Sequence, residues 1–219
     1  MMMTRRRVTA GIVSGAALSR MAAAAGGSSD DVKLPVPRSA GGMPLMAALK
    51  RRHSSREYSE RQLSEQTLSD LLWAAFGVNR PSGDRTAPYW RHVMVMDIYV
   101  AKSDGVWLYD AQVHSLHRYL PDDIRAQTGL QDFVAAAPVN LIYVAHGERM
   151  KDVSPEERRL YASVDAAFIG QNVYLFCASE GLGSVFRGAV DYPKLDRLLK
   201  LPEGVFVIFA QTVGYSRAS

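Results

Sequence analysis

Apolar positions along the chain fall into two rhythms. Leu68, Leu71, Leu72, Ala75 and Phe76 recur at helical spacing and predict a helix with one buried face. Ser64 is placed to cap its start and Gly77 to end it. Met43–Arg52 is a shorter helical segment, with Pro44 suited to a first turn. Ser154-Pro155-Glu156-Glu157 is a capping box with proline at the first helical position, opening a helix that extends as far as Ser179. From Ala166 to Ala178 nearly every position is apolar, which predicts a central helix buried on most sides. A short helix is expected over Tyr192–Lys200. Strand patterns cover His92–Val100, Val106–Tyr109, Val139–Ala145 and Val205–Val213, with Asp104-Gly105 as the turn of a hairpin between the first two. Asn79–Arg91, interrupted by Pro81, Gly83 and Pro88, is a long loop. Helices outside a mixed or antiparallel set of strands, without regular β-α alternation, indicate an α+β fold. No glycine-rich turn opens a helix after a strand, so any dinucleotide would bind in another manner than on a Rossmann unit.

Charge changes the picture at the amino terminus only. The chain carries 26 Lys+Arg against 22 Asp+Glu, a formal net charge of +4. Residues 1–25 hold Arg5, Arg6, Arg7 and Arg20 and no acid. The remainder is balanced, which removes the charge argument for a nucleic-acid binder. The leader is basic, then weakly apolar from Val8 to Leu18, then alanine-rich, the layout of an export signal. Its arginine run resembles a twin-arginine address, although Thr9 and Ala10 replace the usual large apolar pair. A periplasmic or exported location follows from that reading; a disordered basic tail on a cytoplasmic protein is the alternative. Residues 26–42 are rich in Gly, Ser and Pro and are expected to be a linker, with the folded domain spanning 43–219. No apolar run is long enough for a stable membrane anchor, and a single cysteine, Cys177, excludes an internal disulfide.

Three segments can carry chemistry. Arg51-Arg52-His53-Ser54-Ser55-Arg56 crowds guanidiniums, an imidazole and hydroxyls where a helix gives way to a loop, a composition suited to a terminal phosphate or simply to a solvated turn. Glu180-Gly181-Leu182-Gly183 follows the apolar helix and leads into Phe186, Arg187, Gly188 and Ala189; its glycines permit either close backbone approach or an ordinary helix stop. Thr212-Val213-Gly214-Tyr215-Ser216-Arg217 ends a closing strand with an arginine able to reach an anion or to stay disordered. His114 and His117 show no Asp, Glu or Cys partner in the sequence, and no metal site is expected. No nucleophile elbow is present.

Together, in this order and spacing, the three segments resemble the nitroreductase family of flavin enzymes over about residues 43–217. The resemblance implies a central sheet flanked by helices with a buried central helix, in an intertwined homodimer with flavin mononucleotide (FMN) at the interface. It assigns Arg52, His53, Ser54, Arg56 and Arg217 to the FMN phosphate and nearby ring edge. It assigns the backbone of Phe186, Arg187, Gly188 and Ala189 to flavin N5, and Gln131, weakly, to the pyrimidine. Residues 85–120 look most like the azoline-forming, SagB-type dehydrogenase branch. There Arg85-Thr86-Ala87-Pro88 precedes a loop that lies over the flavin, often across the dimer interface. Small residues usually follow that proline; here they are Tyr89, Trp90 and Arg91.

The expected activity is ping-pong transfer from NAD(P)H or another small-molecule donor to a nitro, quinone or similar conjugated acceptor, with no obligatory catalytic side chain. An FMN-binding or sequestering accessory protein without NAD(P)H turnover is the alternative. Neither nucleic acid nor a metal is an expected partner.

Overall fold

The computed structural model describes residues 31–217. The leader expected over 1–25 lies outside the described residues, as does the start of the expected linker. In chain order the elements are β1 (Val32–Lys33), α1 (Leu45–Arg51), α2 (Glu65–Phe76), β2 (Met96–Lys102), β3 (Gly105–Asp110), β4 (Ser115–Leu120), α3 (Phe133–Ala136), β5 (Val139–His146), α4 (Pro155–Glu180), β6 (Gly183–Arg187), α5 (Tyr192–Leu198) and β7 (Val205–Gly214). The seven strands form one sheet in the order β1-β4-β3-β2-β5-β7-β6. Each pairing is antiparallel.

The sheet is covered on both faces, and β5 shows how. Leu141 and Tyr143 join the core formed with α2 and α4, which includes Leu71, Leu72, Ile169 and Val173. Ile142 and Val144 point the other way, into a cluster with Leu195 and Leu199 of α5. Alternate side chains of one strand thus feed two hydrophobic layers. The expected α+β architecture is present, with an antiparallel rather than mixed sheet.

The helix starts follow the sequence closely. Ser64 accepts the Thr67 N–H at the start of α2. Ser154 and Glu157 complete a reciprocal capping box at α4, and Gly181 ends α4 at a left-handed φ of 71°. Pro44 is the N-cap of α1 rather than a residue of its first turn.

Several expectations need correction. The stretch given to a linker is held to the domain where it is described. Val32 and Lys33 pair with Leu116 and Ser115, Leu34 is buried, and the Arg38 guanidinium meets Asp70 at 2.6 Å. The strand expected from His92 begins at Met96, because Trp90–His92 forms a 3-10 turn with positive φ at both Arg91 and His92. The helix expected to be buried on most sides is buried on one face of a single chain. Ala162, Ala166, Ile169, Val173 and Cys177 point inward, while Leu160, Val164 and Phe168 remain exposed. A largely apolar segment does not show which side the rest of the chain covers.

Candidate functional site

β6 is the outer strand of the sheet, so one of its edges carries backbone groups that no strand pairs. The basic segment is hung on that edge. The Ser55 N–H donates to the Ser184 carbonyl at 2.9 Å. Gly183 makes the approach possible: a Cβ there would lie 2.9 Å from Ser55 Cβ and 2.8 Å from Ser216 Oγ. This glycine was expected to help end the helix; it is instead the seat on which two distant segments meet. The chain's last described residues close the arrangement from the other side. Ser216 bridges to Tyr58, and the Arg217 N–H donates to the Glu57 carbonyl at 3.2 Å. Arg52, Arg56 and Arg217 are thereby gathered by backbone contacts, and none of them forms an ion pair among the described residues. Guanidiniums without a carboxylate partner, on segments that also carry hydroxyl groups, are of a chemistry that suits an anion.

The remaining groups of this end are ordered by their partners. His53 Nδ1 faces the Arg51 carbonyl at 3.0 Å, so it carries the proton. Its Nε2 lies 3.3 Å from Ser55 Oγ. Ser54 Oγ lies 2.9 Å from the Tyr174 hydroxyl, which also receives the Phe186 N–H at 2.8 Å. The Arg52 guanidinium lies over the Tyr174 ring, 5.2 Å from its centroid. A cavity of about 180 Å³ opens here, bordered by His53, Tyr174, Cys177, Gly181 and Ser216. Burial pushes the Cys177 thiol well above its ordinary pKa, which makes it a packing residue.

The far end of β6 holds the second predicted group. The Phe186 side chain turns inward, stacked on Tyr143 with ring centroids 5.7 Å apart, and only its N–H faces the edge. Arg187 turns to the opposite layer, where Nε donates to Thr212 at 3.0 Å and Nη1 to the Thr128 carbonyl at 2.9 Å. Burial without a carboxylate lowers its pKa to about 10. Both residues therefore offer the site their backbone alone. The Ala189 carbonyl accepts the Leu130 N–H at 3.0 Å, which brings Gln131 beside Gly188 and Ala189. Gln131 Oε1 is buried with no hydrogen-bond partner, close to Gly129 and the Arg187 guanidinium.

Pro88, Tyr89 and Trp90 are not brought to this edge within one chain. The Trp90 N–H donates to Asp165 at 2.9 Å, and the Trp90 ring packs on Tyr161 at 6.2 Å. Asp165 lies nine residues before Tyr174 on α4, about 13 Å along the helix axis. His114 and His117 are also settled differently from the sequence expectation. His117 pairs with Asp31 at 2.8 Å and stands 3.7 Å from Asp110. His114 is held between Ser69 and Tyr109. No metal-binding group of side chains occurs among the described residues, and no helix there is long and apolar enough to cross a membrane. A larger hollow of about 450 Å³ between residues 38–42, α2 and α4 is lined by none of the predicted site residues.

Sequence reasoning missed Tyr174 and Ser216. Tyr174 lies in the largely apolar stretch of α4, where its position gave no signal for its hydroxyl. Ser216 sits between two residues already singled out, and only its contact with Gly183 gives it a role.

The fold defines a class: an antiparallel-sheet α+β domain with a basic segment hung on the open edge of its outer strand. The Nitroreductase family model matches residues 49–215, and the chain belongs to that family. A protein of Methanocaldococcus jannaschii that carries the name of a nitroreductase is 33% identical over 169 residues, 73% of this chain and 85% of that protein. An NADPH-flavin oxidoreductase of Vibrio harveyi is 30% identical over 95 residues, 40% of each chain. Among solved structures, a protein of Ralstonia eutropha described as a nitroreductase superposes with a TM-score of 0.82 at 40% identity, covering 86% of this chain and 90% of that one.

Proposed function

We propose that this protein is an FMN-dependent oxidoreductase that works as a homodimer. It would take electrons from NAD(P)H or another small-molecule donor and pass them, in ping-pong fashion, to a nitro, quinone or similar conjugated acceptor. The observation that carries the proposal is the edge of β6, with uncompensated Arg52, Arg56 and Arg217 gathered at one end and the orphaned Gln131 Oε1 at the other. From Ser184 to Ala189 that edge extends about 16 Å, a span suited to an extended mononucleotide. FMN fits the chemistry of these groups: cations and the Ser54 hydroxyl for its phosphate, backbone and the Gln131 amide for its ring edge. When bound, the flavin supplies the two-electron redox chemistry. The protein's share is to hold the phosphate, orient the ring against β6 and exclude water.

The dimer reading is supported by surface chemistry. Leu160, Val164 and Phe168 form an exposed stripe on α4, and Leu45, Met46 and Leu49 of α1 are exposed as well; exposed apolar surface of this kind marks an interaction face. An isologous contact across the middle of the stripe would run the two α4 helices antiparallel. The family resemblance sets the Pro88–Trp90 loop over the flavin, often across the dimer interface. In that position the bulk of Tyr89 and Trp90 would narrow the substrate side. This bulk favours the second reading, an accessory protein that binds FMN without NAD(P)H turnover.

Spectra of the purified protein test the first reading. Flavin absorbance that bleaches with NADH or NADPH is expected. A colourless protein that takes up no added FMN would defeat both readings, and bleaching by dithionite alone would select the second. Export through the arginine-containing leader is a further proposal, tested by fractionating cells that express the full chain.

A further inference from the structure

We infer that Tyr174 is a positioning residue that makes the Ser54 hydroxyl an obligate donor to the bound phosphate. The inference rests on the FMN reading above. It follows from proton direction along three linked atoms. A backbone N–H can only donate, so the Tyr174 oxygen accepts at its 2.8 Å contact with Phe186 N. Either hydroxyl can donate across the 2.9 Å contact between Tyr174 and Ser54 Oγ; in the proposed arrangement Tyr174, which already accepts from Phe186, donates. With that bond Ser54 Oγ is an acceptor, and its own proton must point elsewhere. The surroundings supply the direction: Arg52 lies over the Tyr174 ring, and the small cavity bordered by Tyr174 and His53 opens beside it. An anion placed beside Arg52 receives the Ser54 proton at the end of a chain that runs Phe186 N–H to Tyr174 O–H to Ser54 O–H. Each donor in such a chain polarises the next. The same ring gives the Arg52 guanidinium a face to rest on. Tyr174 therefore orders two phosphate-binding side chains and ties them to the strand edge.

A double-mutant cycle on FMN affinity tests this. Tyr174→Phe keeps the ring under Arg52 and removes only the hydroxyl. It is expected to weaken FMN binding about tenfold, a hydrogen bond's worth. In a Ser54→Ala background the same substitution is expected to cost little, because the donor it orients is already gone. Losses that add in full in the double variant would overturn the proposal, as would an unchanged FMN affinity in Tyr174→Phe. Should Tyr174→Phe not fold, Ser54→Ala alone decides, read beside Ser54→Thr: the alanine variant must lose affinity and the threonine variant must recover it. FMN binding by the unaltered protein is measured first. Its absence would defeat the FMN reading itself, whereas additive losses in a protein that binds FMN would remove only the role of Tyr174.

Discussion

The Ser55 N–H donates to the Ser184 carbonyl at 2.9 Å, and this contact joins the end of the first helical region to the last strand of the sheet. The residues of the basic segment assigned to the phosphate are placed by it. Arg52, Ser54 and Arg56 flank one partner, and Gly183 adjoins the other. Removing a guanidinium from that segment should therefore affect ligand binding more than folding. Arg52→Ala is expected to weaken FMN binding about 10- to 100-fold, the range for a hydrogen bond to a charged group. Flavin fluorescence titration measures it, and an unchanged affinity would remove Arg52 from the site.

Gly183→Ala tests the seat itself. The added methyl would press on Ser55 Cβ and on Ser216 Oγ, both under 3 Å away. One of these contacts can swing aside as a hydroxyl, but the other lies next to the backbone of the basic segment. A loss of about 1–3 kcal/mol of stability is expected, with FMN affinity falling alongside. Chemical denaturation and flavin titration of the variant report both. Wild-type values in each would mean that the basic segment is not held here.

Asp165 gives a pH dependence with a definite sign. Burial raises its carboxyl pKa to about 6 against the opposing pull of the Trp90 N–H, while an unfolded aspartate titrates near ~3.9. Between these values the folded chain binds more protons than the unfolded one, so stability falls as pH rises through the window. Asp165→Asn keeps an acceptor for Trp90 and removes the charge. It is expected to gain about 1–2 kcal/mol above pH ~6 and nothing below pH ~4. Thermal unfolding at the two ends of the window decides, and a gain of equal size at both would rule out the carboxyl's ionisation as the cause.

Phe168→Glu addresses the exposed stripe. Phe168 is 45% exposed in one chain, so the substitution should leave the fold intact while placing a charge in the proposed dimer face. Sedimentation should show monomer with an unchanged circular dichroism spectrum, and FMN binding should drop if a second copy completes the site. A variant that remains dimeric would place the interface elsewhere.

Parts of this architecture were legible from local chemistry. The capping box at Ser154 and the helical spacing from Leu68 to Phe76 each state their own structure. Val139–Ala145 and Val205–Val213 are apolar enough to be buried strands in any arrangement. β6 was not legible, since Gly-Ser-Val-Phe-Arg has neither a long apolar run nor clean alternation. It is a strand because β7 pairs with it and α4 covers Phe186. β4 was hidden in the same way by His117 and Arg118, and β1 is too short to carry a pattern. The candidate phosphate site was visible as residue types, and Arg52, Arg56 and Arg217 could be singled out. Their assembly depended on Gly183 and Ser216, whose contacts are between segments far apart in the chain. Tyr174 could not be told from its apolar neighbours, because helical spacing gives a residue's face and not the use of its hydroxyl.

The bridge between Tyr58 and Ser216 has a consequence for the order of events during synthesis. The basic segment is made early, its strand edge late, and the residue that locks both together later still. A ribosome-bound chain carries the arginines long before it can hold them in place. On the proposed function, cofactor loading would then follow completion of β7 rather than accompany synthesis. If the amino-terminal leader is an export address, it is exposed throughout that interval. Transport and cofactor insertion would compete in time, and only a route that waits for the finished fold would deliver a loaded protein.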